Sequence, residues 1–179
     1  FSGVGVVPVL QLHDEDDAVR VARVLVEAGL PVLEVVLRAR GALAALRAIA
    51  EQVDGAVVGA GTVTDAVQFR GLVQAGARFA VSPGLVPSLV KMAQRADLPF
   101  LPGVMTPSET MAARDMGFRE VKLFPAEAAG GTALLRGMAG PFPDVAFCPT
   151  GGVSETNLGE YLAHENVFAV GGSWIAPPA

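Results

Sequence analysis

Lysine is scarce in this sequence, and one of its two lysines stands where an amine could act as a nucleophile. Lys122 lies in the run 120–125, Glu-Val-Lys-Leu-Phe-Pro, which has the composition of a β-strand. Side chains alternate along a strand, so Val121 and Leu123 take the face opposite to Lys122. A buried, partly neutral lysine adds to a carbonyl carbon and forms a Schiff base. An internal ion pair with Glu120 explains the same pattern, so this segment alone leaves both interpretations open.

A lone carboxylate occurs in a second apolar run, residues 31–38. Alternation places Leu33 and Val35 on one face of this strand and Glu34 and Arg38 on the other. In a parallel barrel Glu34 and Lys122 would then face one another across the interior. A carboxyl group beside an amine can take up and return protons, which is general acid–base chemistry. A structural ion pair is the alternative here.

Glycines follow several of the strand-like runs. The pairs at 151–152 and 171–172 come after the last two runs, where small residues let backbone N–H groups approach an anion. Loops at these positions bind phosphate in many barrels, so we predict a phosphate site, although tight turns also need glycine. The segment 59–62, Gly-Ala-Gly-Thr, lacks the third glycine of a dinucleotide loop. We expect its glycines to open a cavity in which Thr62 binds a ligand, unless Thr62 only begins a helix.

Short apolar runs alternate with helical patterns along the whole chain, which predicts βαβ units and a parallel sheet. Eight runs spaced by roughly 20–25 residues favour a closed (β/α)8 TIM barrel over a doubly wound sheet, which stays open as the alternative. We interpret residues 1–179 as one such domain. The chain begins without methionine and ends at 177–179 without an eighth helix, so we expect the terminal helices to be missing. The strand-like runs are 4–10, 32–37, 56–59, 79–81, 99–101, 121–124, 145–148 and 167–170, and the clearest helical patterns are 18–28, 42–53, 66–75, 87–96 and the capping-box segment that begins at 106.

Composition excludes several classes of protein. Hydrophobic residues make up 51% of the chain and mean hydropathy is +0.47, which excludes intrinsic disorder. The longest uncharged run, 166–179, is too short and broken for a membrane helix, and a net charge of −5 argues against nucleic acid as a partner. The single cysteine, Cys148, cannot form an internal disulfide, which is typical of proteins in a reducing cytoplasm, and we expect its side chain to pack in the core. Two isolated histidines and no cysteine cluster predict no metal and no cofactor.

A set of motifs, in order along nearly the whole chain, closely resembles the 2-keto-3-deoxy-6-phosphogluconate (KDPG) and 2-keto-4-hydroxyglutarate (KHG) aldolase family. The resemblance implies a class I, metal-free lyase on a (β/α)8 barrel, a homotrimer, and a place in the Entner–Doudoroff pathway of carbohydrate metabolism. The motifs are Leu33-Glu34-Val35 with Arg38, Gly59-Ala60-Gly61-Thr62, Ser82-Pro83-Gly84-Leu85, Lys122-Leu123-Phe124-Pro125-Ala126-Glu127, Cys148-Pro149-Thr150-Gly151-Gly152 and Gly171-Gly172-Ser173-Trp174.

By this resemblance Lys122 matches the Schiff-base lysine and Glu34 the general acid/base. The chain departs from the family at Val36 and Ala39, where many members carry hydroxyl residues, and this affects the expected preference for the distal part of the substrate. The resemblance further matches Arg38 and Thr62 to the residues that hold the pyruvate carboxylate, Pro83 and Phe124 to the apolar wall, and Thr150, Gly151, Gly152, Gly172 and Ser173 to the residues around the substrate chain and phosphate.

The resemblance therefore implies reversible cleavage of KDPG, a small-molecule keto-acid phosphate, to pyruvate and glyceraldehyde 3-phosphate, with KHG cleavage to pyruvate and glyoxylate as a further activity. Three alternatives are weighed against it. One is the related aldolase that acts on the phosphogalactonate epimer, and another is a phosphosugar isomerase or epimerase, which needs no lysine. The third is a non-catalytic barrel that keeps only the phosphate site.

Overall fold

The structure, a computed structural model, describes residues 5–176. Within these residues strands and helices alternate along the chain, as the sequence patterns predict. The first residue of the predicted run 4–10 and the chain end at 177–179 lie outside the described residues. The elements are β1 (Val6–Leu10), α1 (Glu15–Glu27), β2 (Val32–Val36), α2 (Ala42–Gln52), β3 (Val57–Gly61), α3 (Ala66–Gln74), β4 (Ala80–Val81), α4 (Pro87–Ala96), β5 (Phe100–Leu101), β6 (Gly103–Val104), α5 (Pro107–Asp115), β7 (Glu120–Leu123), α6 (Gly131–Ala139), β8 (Ala146–Pro149), α7 (Leu158–Leu162) and β9 (Val170–Gly172).

The paired strands are parallel and form two segments of sheet. The first has the order β5-β4-β3-β2-β1-β9 and the second the order β6-β7-β8. Pro102 separates β5 from β6, because a proline has no N–H to donate to a ladder; its carbonyl still accepts from the N–H of Lys122 at 2.9 Å. At the other edge, parallel bridges join Phe147 to Val167 and Thr150 to Gly171. The predicted parallel α/β class is confirmed, with the sheet strongly curled.

Each strand buries two faces, as expected for parallel sheets covered by helices. Leu33 and Val35 belong to a large cluster with residues of α1, α2 and α3, whereas Val32 belongs to a smaller cluster on the inner side of the curled sheet. Val121 and Leu123 pack against α6 and α7. The predicted alternation is confirmed, and it directs Glu34 and Lys122 away from the helices.

Local signals set where several helices begin and end. Thr106 and Glu109 form the predicted capping box, in which each side chain accepts a hydrogen bond from the other residue's N–H, and Pro107 takes the first helical position. Gly29, Gly76 and Gly117 follow helices with φ of 84°, 83° and 93°, the left-handed conformation expected of glycine beyond a helix end.

The last strand is displaced from its prediction. Residues 167–170 were the expected strand, but β9 is Val170–Gly172. The two glycines that suggested a loop are strand residues, and side chains of neighbouring segments lie against them. A Cβ atom on Gly171 would lie 2.4 Å from Oγ1 of Thr150, and one on Gly172 would lie 1.6 Å from the ring of Trp174. Close approach, rather than a turn, explains these glycines.

Within residues 5–176, none of the helices has the length and hydropathy needed to cross a bilayer.

Candidate active site

A cavity of about 390 Å³ lies at the carboxyl ends of the strands, the end at which barrel enzymes carry their active sites. It brings together residues from β1, β2, β7 and β9 and from the segments that follow β2, β3, β4, β7 and β8. Of the predicted site residues, it includes all except Gly172. Its lining consists of Val9, Glu34, Val36, Arg38, Thr62, Pro83, Lys122, Phe124, Thr150, Gly151, Gly152, Val153, Gly171 and Ser173.

The inner wall of the cavity carries an ion pair between strands β2 and β7. Nζ of Lys122 donates to Oε1 of Glu34 at 3.0 Å, and the two side chains are only 7% and 4% exposed. The prediction that these groups face one another is therefore confirmed. The alternative partner, Glu120, is exposed at the start of β7, so the interpretation of Lys122 as paired with Glu120 is wrong.

This pair has the geometry for proton exchange as well as for charge neutralisation. Two buried opposite charges at hydrogen-bond distance stabilise one another, and removal of either leaves a costly uncompensated charge. Transfer of one proton from the Lys122 ammonium to the Glu34 carboxylate produces a neutral amine and a neutral acid. The amine is then a nucleophile and the acid a proton donor, both directed at the same cavity. The ring of Phe124 lies with its centroid 5.5 Å from Nζ and covers the amine on another side.

Glycine at position 61 leaves the space that Glu34 occupies. A Cβ atom on Gly61 would lie 2.1 Å from Oε1 and 2.7 Å from Cδ of Glu34, which backbone and carboxylate could not accommodate. The glycines of 59–62 are expected to open the cavity, and Gly61 does so by leaving room for the Glu34 carboxylate. Position 61 must therefore be glycine because a side chain from the neighbouring strand β2 fills the space beside it, and a single sequence does not show such a contact.

Arg38 and Thr62 follow the neighbouring strands β2 and β3 and both line the cavity, and between them the N–H of Leu37 donates to the carbonyl of Gly61 at 2.9 Å. Arg38 is exposed and Thr62 half-buried. Thr62 has a φ of 59°, a strained backbone conformation for a β-branched residue. Strain of this kind clusters at active sites and ligand-binding sites, where the surrounding structure enforces it. A guanidinium fork beside a hydroxyl is a good receptor for a carboxylate.

The remaining wall of the cavity is apolar. The predicted members Pro83 and Phe124 are half-buried and line it. Val36 also lines it, as expected from alternation, which places Val36 on the same face as Glu34. Val9 and Val153 line it as well, and the sequence patterns do not predict them as site residues.

The third part of the cavity is formed by the turn that follows β8 and by the segment that follows β9. Gly151 and Gly152 have φ of 94° and 85°, so the turn requires glycine at both positions. Thr150 is buried, and Ser173 is exposed on the cavity rim. Gly171 lines the cavity, while Gly172 lies against Trp174, and the predicted place of Gly172 beside the substrate stays a prediction.

Cys148 lies next to the ion pair but takes no part in it. It is the strand neighbour of Lys122 in the β7–β8 register and packs in the inner cluster with Val7 and Phe79, which agrees with the expected packing role. Burial raises the pKa of its thiol to about 12 from an ordinary value of 9.0, although the Lys122 charge acts in the opposite direction. The thiol therefore stays neutral at physiological pH.

We expect Cys148 to resist alkylation in the folded protein. At about pH 8, a thiol with a pKa of about 12 has on the order of 1,000-fold less thiolate than one at 9.0, and burial blocks the reagent as well. Iodoacetamide labelling followed by mass spectrometry, in native buffer and in denaturant, measures this directly. Cys148→Ser is the control that assigns the label. Rapid labelling without denaturant would show that the inner cluster is open to solvent.

Among the residues described here, no group of three or more His, Cys, Asp and Glu side chains is placed to hold a metal ion.

A second cavity, of about 480 Å³, lies at the amino ends of the strands, and its lining is mainly apolar with Arg78, Arg119 and Glu120 as charged members. It contains neither member of the buried pair.

Comparison with known proteins points to one family. The family described as KDPG and KHG aldolase matches residues 2–179. A 2-dehydro-3-deoxy-phosphogluconate aldolase of Pseudoalteromonas atlantica is 48% identical over 177 residues, covering 99% of this chain and 82% of the relative. The KHG/KDPG aldolase of Escherichia coli is 49% identical over 172 residues, covering 96% and 81%. The crystal structure of the Legionella pneumophila KDPG aldolase, with pyruvate captured at low pH as a covalent carbinolamine, superposes with a TM-score of 0.95 at 44% identity and covers 98% of this chain and 85% of that one.

Proposed function

This chain belongs to the KDPG and KHG aldolase family, and from that premise we propose that Lys122 and Glu34 carry out Schiff-base cleavage of KDPG to pyruvate and glyceraldehyde 3-phosphate. The observation that carries the proposal is the 3.0 Å contact between Nζ of Lys122 and Oε1 of Glu34 in the wall of a cavity of substrate size. The E. coli relative is named for both substrates, which supports KHG cleavage to pyruvate and glyoxylate as a second activity.

The reaction begins with proton transfer from Lys122 to Glu34. The neutral amine adds to the C2 carbonyl carbon of the substrate, and Glu34 supplies the proton that the carbonyl oxygen needs. Glu34 then takes a proton from the carbinolamine nitrogen and delivers it to the hydroxyl, which leaves as water while the nitrogen lone pair forms the iminium on Lys122. Each step uses one proton shared between the two groups, so no other acid or base is required.

The iminium allows the C3–C4 bond to break because it accepts the electrons of that bond. Glu34, through a water molecule, accepts the proton of the C4 hydroxyl as the bond breaks, and the bonding electrons form the enamine on C2 and C3. Glyceraldehyde 3-phosphate leaves. Protonation of the enamine at C3 and hydrolysis of the iminium then release pyruvate and restore the Lys122 amine.

The rest of the cavity holds the two ends of the substrate. Arg38 and Thr62 are suited to bind the carboxylate next to C2. Pro83 and Phe124 keep water from the reacting carbons, which strengthens the electrostatic interactions among them. At the far end, the phosphate site consists of Thr150, Gly151, Gly152, Gly172 and Ser173, and Gly171 also lines the cavity there.

We propose that residues 1–179 form one domain and that the curled sheet closes into an eight-stranded (β/α)8 barrel. This is supported by the segment β5–β6, which continues from one part of the sheet into the other across Pro102, and by the bridges between β8 and the β9 segment. We also propose a homotrimer, which the resemblance to the family supports, and a cytoplasmic location, which the single cysteine supports. Light scattering tests the trimer.

Borohydride trapping tests the function. In the presence of pyruvate, borohydride should leave a reduced adduct on Lys122 and none on Lys91, the exposed lysine of α4, because only Nζ of Lys122 lies in the cavity beside a carboxylate that can accept its proton. Peptide mass mapping locates the adduct. Pyruvate without borohydride, and borohydride without pyruvate, are the controls.

Two results would contradict this proposal. An adduct on Lys91 would mean surface chemistry, and no adduct at all would favour a non-catalytic barrel that keeps only the phosphate site. If trapping succeeds, rates of cleavage of KDPG and of its galactonate epimer decide between the two aldolase substrates.

A further inference from the structure

A part-buried hydrogen bond joins the buried Tyr161 to the exposed Glu127 just behind the phosphate end of the cavity. Tyr161, in α7, has no solvent exposure and donates its hydroxyl to Oε1 of Glu127, which follows β7. Burial, followed by the Glu127 carboxylate, raises the pKa of the Tyr161 phenol above its ordinary value, so it remains a proton donor throughout the physiological range. Neither residue lines the cavity.

The Glu127 side chain lies directly against the turn that carries Gly151 and Gly152. A Cβ atom on Gly152 would lie 2.4 Å from Cγ and 2.5 Å from Cβ of Glu127, so the stem of Glu127 packs on the glycine backbone. The N–H of Glu127 also donates to the carbonyl of Gly151 at 3.0 Å. Glu127 therefore fixes the turn by packing and by a backbone hydrogen bond.

The neighbouring residues leave this pair little freedom. A Cβ atom on Gly131, which has a φ of 57°, would lie 3.3 Å both from Oε1 of Glu127 and from the Tyr161 hydroxyl. On the far side of the turn, Nδ2 of Asn157 donates to the carbonyl of Gly152 at 3.0 Å. The turn is thus held between Glu127 and the start of α7, and Tyr161 links those two supports.

We propose that Tyr161 and Glu127 are positioning residues that hold the Gly151–Gly152 turn in the conformation that binds the substrate phosphate. The inference rests on the proposed function, because it concerns the phosphate end of the same site. Backbone N–H groups bind an anion well only when they are already oriented, so loosening the turn weakens phosphate binding and leaves Lys122 and Glu34 in place. The pair then sets selectivity for phosphorylated substrates.

Tyr161→Phe is the most conservative test, because it removes only the hydroxyl. We expect KM for KDPG to rise by about tenfold, in line with the loss of one hydrogen bond to a charged group, and kcat to change by less than about twofold. With 2-keto-3-deoxygluconate, which lacks only the phosphate, kcat/KM should be unchanged. Deuterium exchange into the methyl group of pyruvate, which uses the carboxylate end of the site and not the phosphate end, should also be unchanged.

Three further variants separate positioning from general support of the fold. Glu127→Gln keeps an oxygen that accepts from Tyr161 and should retain most of the selectivity for KDPG, whereas Glu127→Ala should lose it as Tyr161→Phe does. Met138→Leu alters the same buried cluster without touching the pair and should leave selectivity intact. Substitution of Gly152 itself is unsuitable, since any side chain there would displace Glu127.

The outcomes are distinguishable. Equal losses on KDPG and 2-keto-3-deoxygluconate, or no loss on KDPG in a folded Tyr161→Phe protein, would overturn the inference. Equal losses in the Glu127→Gln and Glu127→Ala variants would overturn the role of the hydrogen bond. Absence of pyruvate exchange in the wild-type protein would contradict the proposed function instead.

Discussion

Lys122→Arg is expected to abolish cleavage of KDPG while the protein remains folded. A guanidinium stays protonated and cannot add to a carbonyl carbon, yet it keeps the positive charge that Glu34 needs. The cavity beside Nζ gives the larger side chain room. Loss of a covalent nucleophile removes turnover by at least about 10⁴-fold, so the variant should fall to the background of a coupled pyruvate assay.

Lys91→Arg is the matched control, since it makes the same change at the exposed lysine of α4. Wild-type rates are expected for it. Circular dichroism and thermal unfolding establish that both variants are folded. Turnover above about 1% of wild type in Lys122→Arg would contradict the covalent mechanism. Acid–base groups and substrate binding would then catalyse most of the reaction without a Schiff base.

Much of the site followed from the alternation of side chains along strands. Glu34 and Lys122 are single charged residues in apolar runs, and the apolar neighbours of each can pack only against helices. That argument needs no knowledge of which strand lies where, and it placed both groups inside. The motif-based assignment to the KDPG and KHG aldolase family is likewise confirmed, by a family match over residues 2–179.

Contacts between distant strands were harder to predict, because they depend on register. From the sequence, Glu120 and Glu34 were both possible partners of Lys122, and only the relative positions of β2 and β7 decide between them. The same holds for Gly61, which is glycine because a carboxylate from the next strand occupies its side-chain space. A single sequence shows which residues face inward, but not which of them touch.

The two glycines at 171–172 explain why the last strand was predicted at residues 167–170 and not at Val170–Gly172. Two adjacent glycines are typical of a turn, and Gly171 and Gly172 were read as a loop. In the structure they continue the strand, since Thr150 and Trp174 lie against them. Gly171 lines the cavity, and the predicted place of Gly172 beside the substrate stays a prediction.

Glu34→Gln is expected to lower turnover of KDPG by about 10²–10⁴-fold, the usual contribution of a general acid–base group. Glutamine has nearly the same shape, and its amide oxygen can still accept from Lys122, but it cannot carry a proton between the amine, the carbinolamine and the C4 hydroxyl. Borohydride should still trap pyruvate on Lys122, only more slowly, because the nucleophile remains. Steady-state kinetics and the trapping rate measure the two effects separately.

Glu120→Gln is the matched control, since Glu120 is the exposed carboxylate on the same strand as Lys122. Normal turnover is expected for that variant, with unchanged stability. For Glu34→Gln we expect a loss of stability smaller than the roughly 3–5 kcal/mol that an uncompensated buried charge costs, because the amide oxygen still accepts from Nζ of Lys122. The opposite pattern, a large loss of stability with near-normal turnover, would mean that Glu34 and Lys122 form a structural ion pair and that the acid–base group lies elsewhere.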